Sequence, residues 1–101
     1  MQEVLEITTF RLAGATAEAF VAANEDINAY LKRQPGFRWR RIAFHDDGLV
    51  ADIVAFDSAE QASRSADGIM TEMRSSPVHA MIDQATVDWR IMPVLSYVVA
   101  P

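Results

Sequence analysis

The chain has 101 residues, half of them apolar, with 14 acidic against 9 basic residues for a formal charge of −5, and no cysteine. That length supports one domain, 1–101, because two would each lack a core; the acidic balance opposes phosphate backbones, so nucleic acid is not an expected partner. Missing cysteine removes disulfides, thiolate metal sites and cysteine nucleophiles, and with no apolar span of about 20 residues and no basic leader the expectation is a cytoplasmic protein without membrane contact.

The β-prone run Glu3 to Leu12 reads as a first strand, ended by Ala13-Gly14. Thr16 is a plausible N-cap with Glu18 in the first turn, and Phe20, Ile27 and Leu31, with Ala23 and Asn24 between, recur at helical spacing, which predicts one long helix. Gln34-Pro35-Gly36 stops it: Pro35 lacks an N–H and biases Gln34 away from helical geometry, and Gly36 can take the left-handed conformation of a helix end. Phe37 to Asp46 then reads as a second strand, Asp47-Gly48 as a two-residue hairpin turn, and Leu49 to Phe56 as the third strand.

Ser58 followed by Gln61 resembles a capping box, opening a helix whose buried stripe is Ala62, Ala66, Ile69, Met70 and Met73. Ser75-Ser76-Pro77 interrupts it, Val78 to Ile82 reads as a short helical turn, and Thr86 to Leu95 as a last strand with Pro93 at an edge or exit.

The order βαββαβ with right-handed crossovers sets strands one and three side by side and predicts an α+β, ferredoxin-like fold, a four-stranded antiparallel sheet with two helices on one face. The strands are nevertheless apolar on both sides, Leu5 and Ile7 against Val4 and Phe10, and Leu49 and Ile53 against Val50 and Val54. A sheet with one wet face alternates apolar and polar residues, so the bare face requires a cover, and a homodimer through that face supplies it most simply.

Several residues are candidates for chemistry. With a two-residue turn at Asp47-Gly48, Ala43 faces Asp52, and Arg41 and His45 become its diagonal neighbours. Asp52 in a middle strand then needs a partner, and Arg41 or His45 provides it, either as a structural ion pair or as a polar anchor of a pocket that orients or deprotonates an acidic hydroxyl. Asn24 sits on an apolar helix stripe, where its amide satisfies a neighbouring backbone group or meets a ligand oxygen. In the same register Trp39 and Phe56 share a sheet face, as an aromatic wall for a planar ligand or as core. His79 stands four residues before Asp83, a spacing that allows a local hydrogen bond, or acts as a base at a pocket mouth.

Asp52, Arg41 and His79 are thus the catalytic candidates, and Asn24, Trp39, Phe56 and His45 the ligand contacts. His45-Asp46-Asp47 does not make a metal cluster, because adjacent strand residues point to opposite faces and Asp47 is wanted by the turn. Arg38, Arg40 and Arg41, interleaved with Phe37 and Trp39, raise an RNA-binding alternative, but Leu49 to Phe56 lacks the Gly-and-aromatic pattern that stacks bases. The scattered glycines match no phosphate loop or dinucleotide fingerprint, and no cofactor is expected.

From Val4 to Val94 the chain resembles the dimeric α+β barrel superfamily, and within it the antibiotic-biosynthesis-monooxygenase-like domains. The carriers are the first strand, the Leu31 to Phe37 helix exit, Phe56-Asp-Ser-Ala-Glu-Gln-Ala62 and Ser76-Pro-Val-His-Ala-Met-Ile82. The resemblance implies a homodimer with a pocket between helices and sheet in each subunit. It also implies a cofactor-independent monooxygenase acting on a small aromatic, quinol or polyketide-like substrate; a non-catalytic ligand-binding or interaction module of the same fold is the alternative. Family members often carry Trp where this chain has Phe56, and the haem-degrading branch uses that Trp, which sets haem degradation aside. That branch ligates haem through a His aligned near Asp83, so the role does not transfer to His79.

Overall fold

The computed structural model describes residues 2–101. Its elements are β1 (Val4–Leu12), α1 (Ala17–Ala23), α2 (Glu25–Lys32), β2 (Phe37–Phe44), β3 (Val50–Phe56), α3 (Ala59–Met70), a 3-10 turn (Pro77–Met81) and β4 (Ile82–Pro93). The four strands form one antiparallel sheet in the order β2-β3-β1-β4. This is the expected ferredoxin-like arrangement, with β1 beside β3.

Both expected helix starts are capped. Thr16 accepts a hydrogen bond from the Ala19 N–H, and Ser58 accepts one from Gln61 while its hydroxyl donates to the Gln61 side chain. The single long helix, however, is two. The Asn24 side-chain amide donates to the Phe20 carbonyl at 2.8 Å, occupying the acceptor that the Asn24 backbone N–H would use in a continuous helix; that N–H turns instead to Val21. A side chain competing with the backbone in this way breaks the helical ladder, and α2 restarts at Glu25.

The helix exit behaves as its residues demand. Gly36 has φ +79°, a left-handed backbone conformation that favours glycine, and the tip of the Gln61 side chain of α3 occupies the space beside it. Its carbonyl accepts from Asp57 N–H at the end of β3, pinning the crossover to the sheet.

The β2-β3 turn differs from expectation, and the difference propagates. Gly48 N–H bonds the His45 carbonyl and His45 N–H bonds the Leu49 carbonyl, giving a three-residue loop, Asp46-Asp47-Gly48, with Gly48 at φ +94°. One extra loop residue slips the register by one, so Ile42 rather than Ala43 faces Asp52. A one-residue slip exchanges the two faces of a strand, which carries Arg40 to the side of Asp52 and Arg41 away from it.

A second irregularity lies between Phe37 and Trp39: Phe37 faces Phe56, yet Trp39 faces Ala55. Phe56 therefore packs edge-to-face with Phe37 in the core, and Trp39 is on the opposite face, where Arg41 stacks over its ring at 4.4 Å. A third lies between Thr9 and Arg11, where β4 starts at Ile82, earlier than Thr86, but leaves residues 84–87 outside the ladder. Thr86 holds this excursion by accepting the Arg11 N–H and donating to the Asp83 carbonyl.

The helices cover the face bearing Val4, Phe10, Val50, Val54 and Phe56, with Phe20, Ile27, Tyr30 and Leu31 packed onto it. On the other face Leu5, Ile7 and Ile53 are half-buried, and Met92 and the tail residues Leu95, Tyr97, Val98 and Val99 are exposed.

Candidate functional site

Between the helices and the sheet lies a cavity of about 370 Å³. Phe10, Phe20, Ile27, Leu31, Ile69 and Val78 give it an apolar body, and its floor carries Glu6, Thr8, Arg40, Asp52 and Trp89. A mostly apolar hollow of this size with a few convergent polar groups is the usual form of a small-molecule site.

The floor follows from the ladders. Thr8 of β1 faces Asp52 of β3 on one side and Trp89 of β4 on the other, while Glu6 faces Val54 and Ile91. Residues 6, 8, 52, 54 and 89 thus point toward the helices, and the register slip adds Arg40 from β2. All four strands contribute polar side chains to one patch, β1 two of them and β2, β3 and β4 one each.

Arg40 is its hub. Its Nε donates to Asp52 Oδ1 at 3.0 Å and its Nη2 to Oδ2 at 2.7 Å, a two-pronged pairing with side-chain exposures of 9% and 15%. Nη2 also donates to Asn24 Oδ1 at 2.9 Å, and Nη1 to Asn28 Oδ1 at 2.8 Å. The guanidinium therefore ties the sheet to the helix break at Asn24 and to α2 at Asn28. Asn24, fully buried, gives its N–H to Phe20 and its oxygen to Arg40, and so serves the framework on both sides.

Glu6 is the other buried charge, 5% exposed. One carboxylate oxygen accepts the Trp89 indole N–H at 2.6 Å, and the other has no hydrogen-bond partner among the described residues. Burial raises its pKa from 4.5, and Asp52 adds to the rise; the Trp89 hydrogen bond and the Arg40 charge oppose it. Trp89 itself is 46% exposed, standing at the open side of the cavity.

The mouth is built from α3, the 3-10 turn and the β4 excursion. His79 lies there half-buried, its Nε2 3.0 Å from the Met73 carbonyl, while Gln84 donates to the His79 carbonyl. The His79–Asp83 bond that the spacing allows does not form: His79 Nε2 turns to the Met73 carbonyl, and Asp83 Oδ1 accepts the Ala85 N–H.

Of the residues singled out from sequence, Asn24, Asp52 and His79 line the cavity. Arg41 does not partner Asp52; Arg40 does. Trp39 and Phe56 neither share a face nor line the cavity, and His45 sits exposed in the hairpin turn beside Asp47 at 3.1 Å. Glu6, Arg40 and Trp89 were the residues missed. Glu6 had a legible signal: Val4, Glu6, Thr8 and Phe10 alternate on one face, so a carboxylate stands between two core positions.

No protein-family model matches the sequence, and no curated protein matches it. Solved structures do match in fold. A variant of SnoaB, a cofactor-independent oxygenase from Streptomyces nogalater, superposes with a TM-score of 0.76 at 19% identity, over 96% of this chain and 97% of that one. The ActVA-Orf6 monooxygenase of Streptomyces coelicolor, solved with nanaomycin D, gives 0.74 at 18%, over 99% and 94%. A dimeric ferredoxin-like protein from an uncultured marine organism gives 0.72 at 13%, over 100% and 95%. The chain shares its ferredoxin-like α+β fold with these structures.

Breaking the Arg40–Asp52 pair strands a buried charge, so Asp52→Ala is expected to cost about 3–5 kcal/mol in denaturant melts. The double change Arg40→Met with Asp52→Leu should recover at least half of that loss, because it removes both charges together. A loss below about 1 kcal/mol for the single variant would instead make the pair a solvent-screened surface bridge.

Proposed function

We propose that this chain is a cofactor-independent monooxygenase-like protein acting on a small aromatic, quinol or polyketide-like substrate in the cavity between helices and sheet. The observation that carries the reading is a buried carboxylate, Glu6, with one oxygen held by Trp89 and the other unpartnered on the floor of an apolar cavity. A carboxylate with a raised pKa is a stronger base than an exposed one and, once protonated, can return that proton as a donor.

In the reaction this supports, Glu6 takes the proton of a phenolic hydroxyl, leaving an electron-rich phenolate. Dioxygen attacks the ring carbon opposite the hydroxyl, which loses its hydrogen; one oxygen atom becomes the new quinone carbonyl and the other leaves as water, completed by the proton from Glu6. The phenol supplies all the electrons. The apolar walls exclude bulk water, and Arg40, Asp52 and Asn24 hold the floor rigid.

The alternative is a ligand-binding module without turnover, favoured by the internal saturation of Arg40, Asp52 and Asn24, which leaves Glu6 as the main group free to act. Oxygen uptake during incubation with quinols and polycyclic phenols separates the two. We expect uptake stoichiometric with quinone formation and a loss of at least about a hundredfold in Glu6→Gln, the usual scale of a general base. Phenol binding without uptake by the unaltered protein would support the module.

The functional unit of this reading is a homodimer. The half-buried outer sheet face with Leu5, Ile7, Trp39 and Ile53, next to an exposed apolar tail, supports it. Light scattering in dilute solution should give twice the chain mass; a stable monomer would overturn the sheet-to-sheet assembly.

A further inference from the structure

The charges on the cavity floor do not balance. Arg40 is the sole Lys or Arg lining the cavity among the described residues, and its guanidinium is already bonded to Asp52, Asn24 and Asn28. Once Asp52 is set against Arg40, Glu6 remains as an uncompensated carboxylate. Asp67 on α3 adds a second acidic group near the mouth, and His79 on the 3-10 turn is engaged at Nε2 by the Met73 carbonyl. Trp89 and Thr8 complete the ring around Glu6, and the indole N–H is consumed by Glu6 itself.

From this imbalance we infer that the cavity selects by charge: it takes an uncharged aromatic ligand that donates a hydrogen bond to the free oxygen of Glu6, and it rejects an aromatic carboxylate of the same size. A donor hydroxyl pairs with the cavity-facing oxygen of Glu6, which has no protein hydrogen-bond partner among the described residues. An anion meets a like charge in a partly desolvated space, with no cationic group left unpaired to receive it. Specificity of this kind comes from repulsion as much as from attraction. Glu6 is then the specificity-determining residue, and Trp89 positions it by fixing the first oxygen.

The selectivity rests on the cavity being the ligand site proposed above, but not on turnover, and binding measurements keep the two apart. Calorimetry at pH 7.5 with 2-naphthol and 2-naphthoate compares one ring system with and without the charge. We expect 2-naphthol to bind at least about tenfold more tightly, the scale of one like-charge contact at moderate effective dielectric. Glu6→Gln keeps an acceptor for the Trp89 indole and removes the charge, so it should shrink that ratio to about threefold or less, chiefly by improving 2-naphthoate binding. Equal or tighter binding of 2-naphthoate to the unaltered protein overturns the inference, as does failure of both probes to bind. A ratio unmoved in a Glu6→Gln variant with unaltered circular dichroism overturns the role of Glu6. The unaltered-protein ratio stands by itself should the variant misfold. A 2-naphthol preference without oxygen uptake leaves the selectivity intact and counts against the oxygenase reading alone.

Discussion

The two-pronged contact between Arg40 and Asp52 is the interaction on which the rest of the floor depends. It lets β2 and β3 place opposite charges under the helices, and its remaining donors reach Asn24 at the helix break and Asn28 within α2. A buried guanidinium is tolerated only when most of its donors are used, and here four of them are. The same saturation has a chemical consequence. Arg40 is spent on the framework, so Glu6 faces the cavity with its charge unpaired by any salt bridge among the described residues.

Much of this was legible in the chain, and the limits have physical causes. The element order, the caps at Thr16 and Ser58, the Gly36 crossover and the adjacency of β1 and β3 follow from local rules that the tertiary structure does not override. What failed was parity. Asp47-Gly48 reads as a two-residue turn, but Gly48 serves equally well as the left-handed third residue of a longer loop, and nothing local distinguishes the two. That one residue moved the partner of Asp52 from Arg41 to Arg40. The irregularity after Phe37 did the same to Trp39, sending it to the outer face while Phe56 stayed in the core.

Asn24 is legible as an odd residue on an apolar stripe, and in the structure it marks a helix break at the edge of the cavity. Its amide competes with its own backbone, an outcome that helical periodicity does not encode because Phe20, Ile27 and Leu31 remain on the core side across the break. Trp89 and the β4 excursion were invisible for a different reason. Their placement depends on the pairing of Arg11 with Asp83 and Thr9 with Asp88, contacts between distant parts of the chain.

The floor also carries a cost to stability. With its carboxyl raised above 4.5 in the folded state, Glu6 holds a proton that the unfolded chain releases first, so its contribution to stability falls as pH rises from about 4.5 through the folded value. A sheet position between Val4 and Phe10 that carries such a penalty is better explained by chemistry than by packing. The most direct measurement is a titration of the Glu6 carboxyl by carbon-detected NMR in the unliganded protein. We expect a midpoint above 4.5; a midpoint at or below that value would show a carboxylate stabilised by its surroundings, and would contradict its role as the proton acceptor of the cavity.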